Sequence, residues 1–413
     1  MQAAVVLNGK VVFLRSYGVA NLQTPVPVTS ETLFSINSIT KAFVGIAVME
    51  EVEKGRLDLS VPISTYLTDI PASWGKVTTR ELLGQISGLP DIMAYGDSEL
   101  IGLTDEKAAW AWALSQPVSP PGQKEDYCQT NLRLVQLIIN KLNGRDPNAS
   151  LIDQELAKAG MRSTSYGDSR DVIKGKSQPY RFADDGVIQN HFELFGPMEH
   201  ADSGLNTTAD DMALWMISIL DGRQISERSR EMMWTSVPLN DGSLSSFSLG
   251  WAPQHRANYS SVGMFGGARS AFSLFPQYNI GVVILTNIIG ANPEELTDEV
   301  AASFVPEIRL SGVLKLRADE ERSSFANLGS VLADEEAQHR SDDFNELELE
   351  SWIHRLLWSK KPERALALSK FDRALFPASS TALELLAQSY EANKQPEEAR
   401  RIHADLKPRN PNK

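Results

Sequence analysis

The sequence predicts an α+β protein with an antiparallel sheet formed by both ends of one large domain and flanked by helices. An all-helical insert lobe lies between those ends, and a C-terminal α-helical repeat segment follows. Three observations predict this organisation. Strand-like runs occur near residue 10 and again near residue 280, and helical patterns dominate the residues between 78 and 239. A spacing of 34 residues also recurs near the C-terminus.

Composition indicates a soluble globular protein. The chain has 413 residues, of which 42% are hydrophobic and 23% charged, so it can build a large core over two or three domains. Its formal net charge of −13 predicts no nucleic-acid partner. The one cysteine, Cys128, excludes an internal disulfide framework and is expected to be a small buried hydrophobe. The 6 histidines have no metal-ligand spacing, so we predict neither a metal nor a cofactor.

The first predicted element is a tight hairpin. Two apolar, β-rich runs flank Asn8 and Gly9, a dipeptide that favours the turn of a two-residue hairpin loop. No signal peptide precedes them, and no apolar run approaches the roughly 18 residues that cross a bilayer. We therefore expect a cytoplasmic protein without a membrane span, or a shortened or mature form of an exported one.

A buried helix is predicted next, from about Ser38 to Lys54, with Gly55 ending it. Further helices are predicted over "TNLRLVQLIINKLNG" and over "TTADDMALWMISILDG", the second of which has Thr207 or Thr208 as its N-cap. After residue 245, short runs separated by Gly and Pro are typical of strands, and a last helix is expected from about Pro293 to Ser303. We place the boundaries of this first domain at residues 1–310.

The C-terminal third has a different composition. Residues 311–345 are rich in charge and are predicted to form a linker or a solvated helix. In residues 346–413, "KPERA" and "QPEEA" place Ala365 and Ala399 34 residues apart, which is the period of a tetratricopeptide repeat. A plain helical hairpin is the alternative. Because about three repeats are usually needed for a stable stack, this segment is expected to pack on the first domain, on Trp352 and Trp358, or on a protein partner.

A possible reactive serine opens the first long helix. Ser38 lies three residues before Lys41, and residues i and i+3 share a helix face, so the amine can reach the hydroxyl. Serine is a poor nucleophile until a base accepts its proton. The same S-x-x-K spacing occurs at Ser73 and Lys76, but in a loop with Pro and Gly that would not align the side chains. The tetrapeptide alone is therefore weak evidence, and Ser38 read in isolation is an ordinary helix N-cap.

Six segments in order give the pattern a family context. They are "TLFSINSITKAFVGIAVMEEVEKGRLDLSVPISTYL", "VTTRELLGQISGLPD", "DYCQTNLRLVQLIINKLNG", "LAKAGMRSTSY", "SGLNTTADDMAL" and "GMFGGARSAFSLFPQYNIGVVILTN". Over residues 1 to about 305 the chain resembles the serine β-lactamase and penicillin-binding-protein superfamily. It is most similar to class C β-lactamase-related hydrolases, which include esterases and D-amino-acid peptidases.

The resemblance implies three catalytic residues. Ser38 would be the acylated nucleophile, and Lys41 its proton acceptor or electrostatic partner. The family's Tyr-x-Asn box falls on Tyr127-Cys128-Gln129, which makes Tyr127 the phenol that relays the proton. Gln129 keeps the amide of the family asparagine on an arm one methylene longer, so it is expected to orient the substrate differently. The alternative for Tyr127 is a core aromatic residue.

The third family box departs most from the pattern. Where the family has Lys-Thr-Gly or His-x-Gly, this chain has Met264-Phe265-Gly266, followed by Gly267. By resemblance, the main-chain N–H groups of Ser38 and Gly267 would form the oxyanion hole. Met264 is either simple packing or an apolar wall of the substrate site. Arg269 is a possible substitute for the missing cation, although a solvated charge at a strand end is the favoured interpretation.

These features predict a serine hydrolase that acts through an acyl-enzyme on Ser38. The apolar third box favours carboxylic esters or apolar acyl groups. The alternatives are a D-alanyl-D-alanine carboxypeptidase, a D-aminopeptidase, or a β-lactamase, each with the same nucleophile. A different class of function is also open: a catalytically inactive protein that binds a partner through its helical tail. The expected ligand is a small-molecule ester, β-lactam or D-amino-acid peptide.

Overall fold

The structure, a computed structural model, describes residues 1–95, 101–103, 105–183, 186–256, 258–322 and 344–406. The chain divides into two units, Met1–Val305 and Pro306–Lys413. Within the described ranges, no helix is both long enough and apolar enough to cross a bilayer.

The strands of the first unit are numbered in chain order. They are β1 (Gln2–Leu7), β2 (Lys10–Ser16), β3 (Val19–Asn21), β4 (Val26–Pro27), β5 (Phe34–Ser35), β6 (Ile101–Gly102), β7 (Ser165–Tyr166), β8 (Tyr180–Phe182), β9 (Ile188–Asn190), β10 (Glu193–Leu194), β11 (Leu205–Thr207), β12 (Ala252–His255), β13 (Ser260–Gly266), β14 (Ser270–Phe275) and β15 (Ile280–Leu285). Its helices are α1 (Thr40–Glu53), α2 (Thr79–Leu83), α3 (Glu106–Ser115), α4 (Gln129–Leu142), α5 (Asp153–Ala159), α6 (Ala209–Leu220), α7 (Glu227–Met233) and α8 (Thr297–Phe304).

A six-stranded antiparallel sheet of order β12-β13-β14-β15-β1-β2 forms the centre of this unit. Strand β1 pairs along its whole length with β15, so the two ends of the unit meet in the sheet. Asn8 and Gly9 connect β1 to β2 with φ of 50° and 73°, values that asparagine and glycine tolerate best. The predicted α+β class, the closure of the sheet by both ends and the hairpin are confirmed.

Helices cover both faces of the sheet. On one face, an added methyl group at Gly281 would lie 3.1 Å from the sulfur of Met216 in α6. On the other face, Ser273 of β14 lies opposite Val282, and its hydroxyl is 2.9 Å from that of Thr297 in α8. Because both faces are covered, every residue of β15 is buried.

Helix α1 is buried from Thr40 to Met49. The ring of Phe43 stacks on Trp215 of α6, with centroids 4.0 Å apart. Gly45 has no room for a side chain, because a methyl group there would overlap the main-chain oxygen of Leu249. The predicted buried helix is confirmed, and the packing around it holds the start of the helix in place.

Two details differ from the sequence prediction. The insert predicted to be all-helical also contains short strands: β6 pairs with β10, β7 with β11, and β8 with β9. Strands of two or three residues are too short to show a period-two pattern in the sequence. In addition, α1 begins at Thr40, and Ser38 lies just before it in a 3₁₀ turn formed by Asn37–Ile39.

The second unit is helical. Its helices are α9 (Gly312–Arg322), α10 (Glu346–Trp358), α11 (Pro362–Leu375), α12 (Ser380–Ala392) and α13 (Pro396–Leu406). The predicted C-terminal helical segment is thus confirmed, whereas its assignment as a tetratricopeptide repeat stays a prediction. Helix α9 occupies the first part of the predicted linker 311–345 and contributes Val313 and Leu316 to the core of this unit. Residues 323–343 of that linker lie outside the described residues.

Candidate active site

Ser38 is the most accessible point of a buried segment. From Thr32 to Met49, every residue except Ser38 is buried, and Ser38 is half-buried. Its hydroxyl oxygen therefore faces a space that solvent or a ligand can reach, while the turn that carries it is fixed by packing.

Two side chains converge on the Ser38 hydroxyl. Lys41 Nζ lies 3.1 Å from Ser38 Oγ, and the Tyr127 hydroxyl oxygen lies 2.7 Å from the same atom. Lys41 is only 1% exposed, and its amine also lies 4.9 Å from the centre of the Tyr127 ring. The Lys41 amine also donates to the main-chain oxygen of Asp202 at 3.2 Å, which helps to hold it in place. An amine and a phenol within hydrogen-bonding distance of one hydroxyl are the groups needed to remove and return its proton.

Tyr127 is positioned by a glutamine that the sequence analysis missed. Gln85 adopts a left-handed backbone with φ of 58°, and its side-chain oxygen accepts hydrogen bonds from the Cys128 N–H and from Asn131 Nδ2, both at 2.9 Å. Its main-chain oxygen accepts from the Asp126 N–H at 2.8 Å. These bonds tie both sides of Tyr127 to one residue. The sequence feature that could have indicated this role is the polar residue Gln85 within the otherwise apolar run "LLGQISG".

Cys128 is buried as predicted, and burial raises the pKa of its thiol to about 12. The thiol is therefore neutral at physiological pH and unsuited to act as a nucleophile.

Gln129 is the first residue of α4. Its main-chain N–H donates to Asp91 Oδ1 at 2.9 Å. Its side-chain oxygen is buried, and no hydrogen-bond partner for it occurs among the described residues. The expected role of Gln129 in orienting the substrate therefore stays a prediction.

The first two residues of the third box, Met264 and Phe265, point to opposite faces of the sheet. Met264 lies opposite Phe272, on the face covered by α6, where it is 2% exposed and packs in the core. Phe265 lies opposite Ala271 on the face covered by α8, and it is 41% exposed. Successive residues of a strand point to opposite faces, so Phe265 points away from the face that meets Ser38. Neither Met264 nor Phe265 therefore forms an apolar wall of the substrate site beside the Ser38 hydroxyl.

Gly266 and Gly267 lie directly against the turn that carries Ser38. A methyl group at Gly266 would overlap the main-chain oxygen of Ile36 and lie 2.9 Å from the Ser38 nitrogen. A methyl group at Gly267, where φ is 57°, would lie 2.9 Å from Asn37 Nδ2. Glycine is therefore required at both positions, and the end of β13 lies directly against the turn that carries Ser38.

Arg269 differs from both sequence interpretations. It is 1% exposed and forms an ion pair with the buried carboxylate of Glu193. The expectation of a solvated strand-end charge is therefore wrong, and the side chain is not directed into the open site as a substitute cation. Its partner lies 76 residues away in sequence, which a local pattern cannot reveal.

A pair of buried acids, Asp202 and Glu199, was also missed. Burial raises the pKa of Asp202, although the positive charge of Lys41 opposes this shift. Burial also raises the pKa of Glu199, and the negative charge of Asp202 adds to the effect. No group of three or more His, Cys, Asp or Glu side chains within the described ranges is arranged to hold a metal ion.

Comparison with known sequences decides the family. The Beta-lactamase family matches residues 1–305. The chain belongs to the β-lactamase family. Protein flp of Staphylococcus aureus (strain MRSA252) is 23% identical over 327 residues, which are 76% of this chain and 64% of the relative. This β-lactamase-family chain thus spans less than two thirds of that relative's length.

Solved structures agree with the fold. The octameric penicillin-binding protein homologue from Pyrococcus abyssi superposes with a TM-score of 0.62 at 26% identity, covering 74% of this chain and 73% of the other. The D-amino acid amidase from Ochrobactrum anthropi SV3, in complex with L-phenylalanine amide, superposes with a TM-score of 0.61 at 21% identity. That match covers 73% of this chain and 93% of the amidase. The resemblance inferred from the six segments is confirmed, and the family points to a serine hydrolase.

Proposed function

We propose that this chain hydrolyses uncharged carboxylic esters or amides through an acyl-enzyme on Ser38, with esters as the preferred class. The observation that carries the proposal is the convergence on Ser38 Oγ of Lys41 Nζ at 3.1 Å and the Tyr127 hydroxyl at 2.7 Å. The described fold offers the same hydroxyl an open face, since Ser38 is half-buried between buried neighbours.

The reaction has two balanced halves. Ser38 Oγ bonds to the carbonyl carbon while its proton passes to the Lys41–Tyr127 pair, and negative charge develops on the carbonyl oxygen. The main-chain N–H groups of Ser38 and Gly267 stabilise that oxygen. When the bond to the leaving group breaks, the pair returns the proton to the departing oxygen or nitrogen. Water then attacks the acyl group by the same steps, which releases the acid and restores Ser38.

Substrate class follows from the missing cation. Met264 occupies the position of the family lysine or histidine and packs in the core. Arg269, the nearby alternative, is neutralised by Glu193. With neither cation directed at the site, a substrate carboxylate gains no partner from this strand, so esters and amides without a carboxylate next to the reacting group are favoured.

A second candidate is amide hydrolysis of the type named for one structural neighbour, a D-amino acid amidase. An amino-acid amide carries no carboxylate, so it also fits a site without the third-box cation.

Steady-state hydrolysis by the full chain tests the proposal. We expect turnover of short p-nitrophenyl esters, slower turnover of D-amino-acid amides, and little of a D-Ala-D-Ala peptide or a cephalosporin. Ser38→Ala should abolish this turnover, whereas Ser73→Ala, in the second and exposed S-x-x-K sequence, should leave it unchanged. Equal rates in the two variants would refute the assignment and favour a binding protein. If the chain hydrolysed the D-Ala-D-Ala peptide faster than the esters, its activity would instead be that of a carboxypeptidase.

A further inference from the structure

A buried polar cluster lies behind the proposed nucleophile. Asn37 Nδ2 donates to Glu193 Oε1 at 2.7 Å, and Arg269 Nη2 donates to Asn37 Oδ1 at 2.8 Å. The same Asn37 oxygen accepts from the hydroxyl of Ser35 at 2.8 Å. Arg269 and Glu193 also pair directly with each other. The Asn37 amide is thus held at both its oxygen and its nitrogen by groups that are themselves buried.

Asn37 has an uncommon backbone conformation. Its φ of 44° lies in the left-handed region, which costs a non-glycine residue on the order of 1–2 kcal/mol. Asparagine tolerates this region better than most residues. Such strain persists only where the surroundings enforce it, and here the three bonds to the amide supply that enforcement. The conformation of Asn37 sets the direction of the next main-chain N–H, which belongs to Ser38.

The cluster also contacts Gly267, whose main-chain N–H is the second proposed donor to the oxyanion. Gly267 is packed so closely on Asn37 that a methyl group there would lie 2.9 Å from Asn37 Nδ2. Arg269 follows it by two residues, and its N–H donates to the main-chain oxygen of Gly266 at 3.2 Å. A separate bond, from the Ser270 hydroxyl to the main-chain oxygen of Ser35 at 3.2 Å, joins the same two segments.

We propose that Asn37, held by the buried Arg269–Glu193 pair, is a positioning residue that fixes the main-chain N–H groups of Ser38 and Gly267 relative to each other. This inference rests on the proposed function, because it concerns the donors to the developing oxyanion. Such donors are effective only when they are oriented before the reaction, and one lost donor costs about 10²–10³-fold in kcat. The segments carrying the two groups are far apart in sequence, and the cluster is the buried side-chain network that joins them, in addition to the bond from Ser270 to Ser35.

The substitution Asn37→Gly tests the proposal, since glycine retains the left-handed backbone and removes the amide. In p-nitrophenyl ester hydrolysis by the full chain, we expect kcat to fall about 10- to 100-fold with KM changed less than about twofold, because the donors act mainly in the transition state. Asn8→Gly is the matched control: Asn8 is also left-handed, with φ of 50°, but it lies in the hairpin turn. This control should leave kcat unchanged.

Coupling between variants separates positioning from simple stabilisation. Ser35→Ala removes one donor to the Asn37 oxygen, and Arg269→Lys replaces the guanidinium that donates to both Asn37 and Glu193 with a single amine. Each should lower kcat in the native background. In the Asn37→Gly background, neither should lower kcat by more than about twofold further, because the group through which they act is gone. If Arg269→Lys fails to fold, the coupling between Ser35→Ala and Asn37→Gly is sufficient to test the positioning role. Melting temperatures, measured for every variant, ensure that rates are compared well below unfolding.

Each outcome has a definite meaning. If the native chain hydrolyses the ester through Ser38 while Asn37→Gly retains its kcat, the positioning role is wrong and the proposed function stands. Additive losses in the double variants also overturn the positioning role. A native chain that shows no Ser38-dependent hydrolysis overturns the proposed function and this inference with it.

Discussion

The hydroxyl oxygen of Tyr127 lies 2.7 Å from Oγ of Ser38, although the two residues are 89 positions apart in sequence. One belongs to the turn before α1 and the other to the residues before α4. Helix α4 and Gln85 hold the phenol over the turn before α1, and this contact joins the insert to the part of the unit that contains the sheet.

Tyr127→Phe is expected to lower kcat for ester hydrolysis by about 10²–10⁴-fold, because it removes the group that transfers protons. The fold should be retained, since the ring still packs on Phe247, whose centroid is 5.3 Å away. Stopped-flow acylation rates and a melting curve check both parts. Tyr17→Phe, at an exposed tyrosine, is the control. A Tyr127→Phe variant with native kcat would remove the phenol from the mechanism.

Lys41→Met should also abolish acylation, and it should destabilise the unit. The buried amine donates to the main-chain oxygen of Asp202, and leaving that acceptor unpaired costs about 1–3 kcal/mol. Urea unfolding and ester hydrolysis measure the two effects. Lys76→Met changes the exposed lysine of the second S-x-x-K sequence and should alter neither quantity. Retained acylation in Lys41→Met would show that the amine is dispensable.

Met264→Lys, which restores a family cation, should lower the free energy of unfolding by roughly 3 kcal/mol, because it places a charge in a packed core without a partner. Met264→Leu, a swap of similar volume, should cost less than about 1.5 kcal/mol. Urea titration measures both. A stable Met264→Lys variant that gained activity on carboxylate-bearing substrates would instead show that this position opens into the site.

Asp372 in α11 predicts a pH dependence of stability in the second unit. Burial, with the negative charges of Glu346 and Glu350, raises the pKa of this carboxyl from 3.8 to about 7. Neither of its oxygens has a hydrogen-bond partner among the described residues. Between pH 3.8 and 7 only the folded state holds the proton, so the free energy of unfolding falls as pH rises, by at most about 1.4 kcal/mol per pH unit.

Asp372→Asn should remove this slope. The variant should match the native chain near pH 4 and exceed it in stability at pH 8, because an amide carries no charge to bury. Urea unfolding followed by circular dichroism from pH 4 to 8 measures it, with Asp69→Asn, at an exposed aspartate of the first unit, as control. A native chain that grew more stable in this unit as pH rose from 4 to 7 would contradict the account.

Local patterns were sufficient for the elements that carry the reacting groups. The hairpin at Asn8, the buried helix after Ser38 and the glycine pair at residues 266 and 267 each depend on residues close together in the sequence. For that reason their conformations follow from periodicity and turn chemistry.

The environment of those groups was less predictable, because it depends on contacts between distant segments. Arg269 looks like a solvated charge until Glu193 is placed beside it. Asn37 looks like any polar residue near a helix start, and only its left-handed backbone and three buried bonds show a special role. Met264 and Phe265 point to opposite faces because of the register of β13 with β14, which sequence alone does not fix.

The most direct test is to locate the covalent adduct formed by a fluorophosphonate probe on the full chain. Intact mass followed by peptide mapping should place one adduct on the peptide that contains Ser38, in the native chain and in Ser73→Ala alike. Ser38→Ala should carry no adduct. An adduct that persists in Ser38→Ala, or that maps to another residue, would contradict the assignment of Ser38 as the nucleophile.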